Sequence, residues 1–322
     1  MKGTITTNRN SNIELLRIIL MYAVLLWHVF VHGGHISAFG TDAYTIHSNT
    51  LYELLICSVL CIAVDCFIFI SGYFGITFKW RTLLSFVLMG VFYSTLTFCI
   101  SIFFGISTLS DEATLYKVLC PFTSKLWWFF SYYLVIYMLS PLLNTINDIV
   151  QSKKQYAQLL VFIYFAGYLY HVFAGKISNI SAIAQPFNML FIYMLGRFMY
   201  KYKMTISGWY FVIAEAILMS LIILLYKAGN IQIWHVYTNG NPIVILAAVS
   251  LFFFFYSRKY ENKKVNAYAS CVFAIYLATD AFLGKCVYDY LYHMLYNNVA
   301  LSIIIIIIIG SIIVGIEYIR KE

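Results

Sequence analysis

The stretch that decides the fold lies near the amino terminus, where residues 13–31 read IELLRIILMYAVLLWHVFV. As an α-helix this run is about 28 Å long, close to the thickness of the hydrocarbon core of a bilayer. Two ionisable residues interrupt it, Arg17 and His28. They lie about three helical turns apart, so both side chains leave the same face, separated by about 16 Å along the axis. The run therefore predicts a membrane-spanning helix with one polar face.

Arg17 has two interpretations. An ionisable residue inside a span is a functional hypothesis by default, because a charge is costly to place in hydrocarbon. Its guanidinium offers a forked set of donors that suits a phosphate or a carboxylate. Alternatively, Arg17 forms an ion pair with Glu14, one turn earlier, and extends toward the lipid headgroups. The sequence leaves both interpretations open.

Composition extends the membrane interpretation to the whole chain. Of its 322 residues, 62% are hydrophobic and 11% are charged, and the mean hydropathy is +0.82, whereas about a quarter of the residues in a soluble domain are charged. We therefore predict a single all-α integral-membrane domain over residues 1–322, with about ten transmembrane helices around a central polar cavity. The predicted spans are residues 13–31, 51–74, 82–105, 126–143, 156–174, 183–200, 208–226, 242–256, 266–283 and 299–318.

Basic residues alternate between the loops on the two sides of the predicted spans. With Arg17 set aside, fifteen of the 21 lysines and arginines fall on one side and five on the other. Because lysine and arginine favour cytoplasmic loops, both termini are predicted to be cytoplasmic, with the first span retained rather than cleaved. The net charge of +8 is then a signal of topology, and no nucleic-acid binding is expected.

His28 is the strongest candidate for chemistry, because histidine titrates near neutral pH and can accept a proton from a hydroxyl. The alternative is a structural histidine bonded to a neighbouring helix. Asp65 is an acid deep within a span and needs a partner; it could orient His28 or pair with Arg17. Asp280, near the outer end of a span, is a weaker candidate. His32 is expected at the solvated rim.

Three motifs occur in order along the chain. The first is the arginine, ten intervening residues and the histidine of the first span, with N-I-E-L-L-R at residues 12–17 and H-G-G at residues 32–34. The second is V-D-C-F-I-F-I-S-G-Y at residues 64–73. The third begins with L-W-W-F at residues 126–129 and ends with L-S-P-L-L-N at residues 139–144. Together they resemble the membrane acyltransferase-3 family, in the branch that modifies bacterial surface polysaccharides.

The resemblance implies O-acyl transfer, usually of acetyl from acetyl-coenzyme A, to a sugar hydroxyl of a surface polysaccharide or a lipid-linked glycan. It implies a multi-pass protein of the bacterial plasma membrane, whose partners are acyl-coenzyme A as co-substrate, the glycan acceptor and the bilayer. No tightly bound cofactor and no metal are expected. The family's arginine and histidine correspond to Arg17 and His28, its acidic or amide position to Asp65, and its Ser-Gly pair to Ser71 and Gly72.

The resemblance also suggests a mechanism. Arg17 would hold a phosphate of coenzyme A, the pantetheine arm would reach His28, and His28 would act as general base with Asp65 fixing its tautomer. Direct transfer and an acyl-enzyme relay both stay open. Candidates for substrate binding or for stabilising the oxyanion are Ser71, Tyr73, Trp127 and Asp280. Basic residues that could attract the nucleotide are Lys79, Arg81, Arg197, Lys201 and Lys203.

One departure from the family pattern concerns the ninth predicted span. The branch commonly reads I-Y-L-I-H followed by an acid, whereas residues 275–280 read I-Y-L-A-T-D, with Thr279 in place of the histidine. The change could alter acceptor choice or reduce activity. Two other functions stay open: a polysaccharide or lipid-linked-sugar transporter, because charges within the membrane also mark carriers, and a catalytically idle partner in polysaccharide assembly. The absence of an inverted repeat in the sequence disfavours transport.

Overall fold

The computed structural model describes residues 10–36, 46–108, 112–124, 126–169, 181–229 and 236–321, and no β-strand occurs in these ranges. Four of the basic residues counted above, Lys2, Arg9, Lys125 and Lys176, lie outside the described residues. The α-helices are α1 Ser11–His28, α2 Thr50–Leu60, α3 Ile62–Phe74, α4 Trp80–Phe103, α5 Glu112–Leu119, α6 Trp128–Ile149, α7 Lys153–Tyr164, α8 Ser181–Lys201, α9 Tyr210–Lys227, α10 Pro242–Tyr256, α11 Lys263–Cys271, α12 Phe273–Thr279, α13 Gly284–Asn297 and α14 Val299–Lys321. Two π-helical segments, Val29–Gly33 and Phe165–Leu169, continue α1 and α7.

Six helical stretches in the described ranges are long and apolar enough to cross a membrane. A seventh is added if α11, α12 and α13 are counted as one broken span. The chain is therefore an all-α membrane protein, and the expected count of about ten spans exceeds what these helices provide. The six stretches are Ser11–Gly33, Thr50–Phe74, Trp80–Phe103, Trp128–Ile149, Tyr210–Lys227 and Val299–Lys321.

The helices at the other predicted spans are less apolar or shorter than the six stretches above. In α8, Gln185, Asn188 and Arg197 lower the hydropathy, and the helix packs along α3 with Tyr193 fully buried. A helix that faces protein rather than lipid does not need an apolar surface all round. α10 is apolar but has only 15 residues. The predicted span 156–174 corresponds to α7 and the π-helical segment after it, and residues 170–174 lie outside the described part.

α1 packs against α2, α3, α10, α11 and α12. Asn10 caps its first turn, where the side-chain oxygen accepts a hydrogen bond from the Asn12 N–H at 3.1 Å. This bond satisfies one of the backbone donors that a helix start leaves unpaired. Leu16 and Leu20 are fully or almost fully buried. These contacts hold α1 among other helices, so its polar face is turned toward protein.

α3 and α8 approach each other closely through two glycines. A Cβ atom at Gly72 would overlap the carbonyl oxygen of Tyr193, and one at Gly196 would lie 2.6 Å from the Tyr73 nitrogen. Small residues at such crossings let helix backbones come together within a membrane. The side of α3 that carries Gly72 is therefore committed to packing against α8.

A break in the chain brings α13 across the end of α1. α12 ends at Thr279, α13 begins at Gly284, and the helix direction changes by 101° between them. α13 then packs against the π-helical segment Val29–Gly33. The contact is so close that a Cβ atom at Gly33 would overlap the carbonyl oxygen of Tyr288. This arrangement places the start of α13 next to His28.

Candidate active site

His28, the last residue of α1, lies in a cluster with an acid and a tyrosine. It is 7% exposed, and its Nδ1 is 3.1 Å from the Tyr288 hydroxyl and 3.6 Å from Asp280 Oδ1. The Tyr288 hydroxyl donates to Asp280 Oδ1 at 3.3 Å. Because that proton is directed at Asp280, the tyrosine oxygen accepts from the Nδ1–H of His28. In a neutral ring this tautomer leaves Nε2 able to accept a proton.

The turn after His28 is π-helical, over residues Val29–Gly33. Single π-helical turns within helices are frequent at functional sites. The turn places the His32 ring 5.4 Å from the His28 ring, measured between centroids, and stacks it 6.0 Å from the Tyr288 ring. His32 is exposed, as expected of a residue at the rim, and one face of its ring packs against Tyr288.

His28 also lines a small cavity, which we call the inner cavity. Its volume is about 20 Å³, enough for about one water molecule. The rest of its wall is apolar and aromatic, so a thioester arm would enter only if side chains moved. The other lining residues are Met21, Val24, Val64, Phe67, Trp128, Phe129, Phe273 and Tyr276.

Arg17 lines a second, larger cavity of about 360 Å³, the outer cavity. Its side chain is one-third exposed and forms a 3.0 Å ion pair with Glu14. The ion pair with Glu14, which was one of the two interpretations of Arg17, is therefore present. Arg17 also lines the cavity, so the second interpretation stays open. The last turns of α14 contribute Glu317, Arg320 and Lys321 to the wall.

Glu317 organises the charged wall of the outer cavity. It is fully buried, accepts two 2.7 Å hydrogen bonds from Arg320, and receives a third at 3.2 Å from the Tyr93 hydroxyl. Lys321 Nζ lies 3.7 Å from its carboxylate. With Arg17, Arg320 and Lys321 against two carboxylates, this wall has an excess of one positive charge when all five groups are ionised, which favours an anionic ligand.

Phe273 lines both cavities and so forms part of the wall between them. Its ring packs against Phe130 at 6.1 Å and Phe129 at 6.3 Å between centroids. Arg17 and His28 therefore open on the same side of α1, as their spacing predicts. In the described residues, however, this side carries two cavities with an aromatic ring between them, and the single central polar cavity expected from the sequence is not observed.

Asp65 lies elsewhere in the molecule. Its Oδ2 accepts a 3.5 Å hydrogen bond from the Gly240 N–H, its Oδ1 has no hydrogen bond within the described part, and it contacts neither His28 nor Arg17. The direction of α3 explains this placement. Val64 and Phe67 face the inner cavity, whereas Asp65 is turned by about 100° from Val64 onto the side that packs against α8 and α10. Asp280 takes the place beside His28 that Asp65 was expected to fill.

Three further candidates lie outside the His28 cluster. Ser71 Oγ donates to the Phe67 carbonyl at 3.0 Å and lies 3.3 Å from the Tyr133 hydroxyl. Tyr73 is buried in an aromatic cluster with α10, 4.8 Å from the Phe252 ring. Trp127 is fully buried, and its neighbour Trp128 lines the inner cavity instead. None of the three touches His28.

The basic residues expected to attract a nucleotide do not line the outer cavity. Lys201 donates to the carbonyl groups of Asn147 and Val150 at the end of α6. The Arg197 guanidinium lies over the Tyr200 ring, 5.6 Å from its centroid. Within the described ranges, the cations at the outer cavity are Arg17, Arg320 and Lys321.

Sequence reasoning missed Tyr288, Phe273, Arg320 and Lys321 as site residues. For the two basic residues a signal existed, because Glu317 precedes them at helical i+3 and i+4 spacing. For Tyr288 and Phe273 no motif distinguishes them among the 28 tyrosines and 27 phenylalanines of the chain. The role of Tyr288 depends on the break between α12 and α13, and that of Phe273 on its packing against Phe129 and Phe130.

A family model described as "Acyltransferase domain" matches residues 10–317, nearly the entire chain. The match includes α1, the break before α13 and almost all of α14. No curated protein and no solved structure matches the sequence.

Proposed function

The chain belongs to the acyltransferase-3 family, and we propose that it transfers an acyl group, usually acetyl, from acyl-coenzyme A to a hydroxyl of a surface polysaccharide or a lipid-linked glycan. The observation that carries this proposal is the arrangement along α1. A histidine bonded to Tyr288 and near Asp280 faces a cavity that shares Phe273 with a positively charged cavity around Arg17.

The outer cavity is the proposed site for the nucleotide end of the co-substrate. Coenzyme A carries several phosphate groups, and the forked donors of arginine match phosphate oxygens. Arg17, Arg320 and Lys321 supply three cations on one wall. Because acyl-coenzyme A is a cytoplasmic compound, this assignment agrees with cytoplasmic termini in a bacterial plasma membrane.

The inner cavity is the proposed site of the reaction. Nε2 of His28 takes the proton of the acceptor hydroxyl as its oxygen attacks the thioester carbonyl carbon, and an ester bond forms as the carbon–sulfur bond breaks. The imidazolium then returns the proton to the thiolate of coenzyme A. Asp280 stabilises the transient positive charge, and Tyr288 holds the ring in the required tautomer. No tightly bound cofactor or metal takes part.

Phe273 and Phe129 must move before donor and acceptor meet. The inner cavity of about 20 Å³ is too small for a thioester arm, and Phe273 is the residue that it shares with the outer cavity. A side chain that opens only when the donor is present would also keep water from hydrolysing the thioester. We expect rotation of Phe273 to accompany binding of acyl-coenzyme A.

The proposal is tested by the acyl content of the surface glycan. Cells lacking the protein should make polymer of normal amount that has lost its acyl mass, measured by mass spectrometry. Wild-type protein should restore the acyl mass, and the His28→Ala variant, present in the membrane at the same level, should not. If the cells made less polymer, and if the polymer that remained carried its normal acyl groups, the result would support transport and contradict the proposal.

A further inference from the structure

A third cavity lies beyond His28, at the end of α1 opposite Arg17. This groove has a volume of about 290 Å³. Phe30 of the π-helical segment, Asn49 and Tyr52 from the start of α2, and Tyr292 and Tyr296 of α13 lie in its wall. The charged group in the wall is the carboxylate of Glu53. Ile56, Leu295 and Val299 complete the wall, so the groove combines aromatic and aliphatic side chains with one fixed acid.

Glu53 is held in place on the wall of the groove. It is 5% exposed, and its Oε1 accepts a 2.7 Å hydrogen bond from the Tyr292 hydroxyl. Oε2 lies 3.5 Å from His47 Nε2 and accepts no hydrogen bond within the described residues. The carboxylate is thus held between Tyr292 and His47, which fixes its position on the wall.

The aromatic rings of the groove are accessible. Tyr52 is 66% exposed and Tyr296 is 59% exposed. A sugar ring has apolar C–H faces that stack on aromatic rings and a rim of hydroxyl groups that donate to carboxylates and amides. Tyrosine suits such a ligand because it combines an apolar ring with a polar tip. A lipid chain would contact the rings and the aliphatic side chains of the wall but would offer no donor or acceptor to Asn49.

The groove is joined to the reaction site by α13. Tyr288, Tyr292 and Tyr296 recur every four residues, so they lie along one side of the helix at intervals of about 6 Å. The first contacts His28, and the other two line the groove. Between Tyr288 and Tyr292 this side is packed against Gly33 and Gly34, so a glycan in the groove would lie one to two helical turns of α13 from Tyr288.

We infer that this groove binds a sugar residue of the acceptor glycan, next to the residue that receives the acyl group. Tyr52 and Tyr296 would stack on the sugar, and Glu53 with Asn49 would accept or donate hydrogen bonds at its hydroxyls. The inference rests on the proposed function, because the acceptor is a glycan only if that function is correct.

The test uses the full chain in lipid nanodiscs and fluorescently labelled tetrasaccharides of a hexose, an N-acetylhexosamine and a hexuronic acid. Fluorescence polarisation measures binding, and mass spectrometry measures acyl transfer to the same sugars. Tyr52→Ala should weaken binding of the best tetrasaccharide about tenfold. The matched control is Tyr290→Ala, an equally exposed tyrosine of α13 (62%) that does not line the groove; it should change binding less than twofold.

The outcomes separate this inference from the proposed function. Binding that Tyr52→Ala weakens and Tyr290→Ala preserves supports the groove, whether or not acyl transfer follows. The same binding pattern without any transfer to the bound sugar, in the presence of acetyl-coenzyme A, argues against the proposed function alone. Absence of binding for all three tetrasaccharides, or equal losses in the two variants, overturns the inference and favours lipid contact or interfacial anchoring as the role of Tyr52.

Discussion

Arg17 and His28 lie on one face of α1, yet their surroundings are built in different ways. The Arg17 side chain is one-third exposed, and its ion-pair partner Glu14 is three residues away on the same helix. His28 is 7% exposed, and its hydrogen-bond partner Tyr288 lies 260 positions later in the chain. The outer cavity has about 360 Å³ and the inner cavity about 20 Å³.

This difference matches two tasks of an acyltransferase. A large, charged ligand needs an open site with several cations, and Arg17, Arg320 and Lys321 lie there in helical i+3 and i+4 ion pairs with Glu14 and Glu317. Proton transfer needs a fixed geometry in a site from which bulk water is excluded, and only contacts between distant segments provide that. Mutations in the His28 cluster should therefore affect turnover, whereas mutations in the outer cavity should affect donor binding.

The largest expected effect is that of His28→Ala. Loss of the proposed general base should lower kcat about 10²- to 10⁴-fold while the KM for acyl-coenzyme A stays within about threefold. The matched control is His32→Ala, one turn further on, which should lower kcat less than tenfold because His32 does not contact the inner cavity. Steady-state transfer kinetics with purified protein measure both. Equal losses in the two variants would contradict the distinction between these histidines.

The next effect compares two acids, Asp280, which is half-buried, and Asp65, which is fully buried. Asp280→Asn removes the charge beside His28 without changing side-chain size and should lower kcat about 10- to 100-fold. Asp65→Asn makes the same chemical change in an acid bonded to the Gly240 N–H and should lower kcat less than about threefold. The same kinetic assay measures both variants. A larger loss of kcat for Asp65→Asn than for Asp280→Asn would indicate that Asp65, and not Asp280, is the acid that supports His28.

Asp65 and Asp280 also show how much of the site could be predicted from the sequence. The helical face shared by Arg17 and His28 follows from their spacing, and the membrane-spanning character of α1 follows from its apolar run. The partner of His28 does not follow, because it depends on the 101° break between α12 and α13. That Asp65 shares a face of α3 with Phe69 and Gly72 follows from their helical spacing, whereas the packing of that face against α8 is seen only in the structure.

A smaller effect is expected in the outer cavity, at Arg17. Arg17→Lys replaces a planar fork by a point charge and should raise the KM for acyl-coenzyme A about three- to tenfold with kcat unchanged. Arg197→Lys is the matched control, since Arg197 lies over Tyr200 and outside the outer cavity; its KM should stay within about twofold of wild type. A change in kcat alone for Arg17→Lys would argue against a donor-binding role.

The smallest effect concerns the packing that holds Tyr288 near His28. Gly33→Ala would place a Cβ atom against the Tyr288 carbonyl and should destabilise the fold by about 1 to 3 kcal/mol. Gly315→Ala, where no atom lies within 4 Å of the added Cβ, should leave stability unchanged or slightly raised. Thermal unfolding in detergent, followed by tyrosine and tryptophan fluorescence, gives the comparison. Equal midpoints for the two variants would show that α13 is not seated on Gly33.

The most direct test is a cryo-electron microscopy structure of the full chain with a thioether analogue of acetyl-coenzyme A. The account predicts phosphate groups next to Arg17, Arg320 and Lys321, the sulfur atom beside His28, and the Phe273 ring rotated out of the path between the two cavities. Nucleotide bound at the opposite end of α1, or a thioether arm that ends away from His28 with Phe273 unmoved, would contradict it.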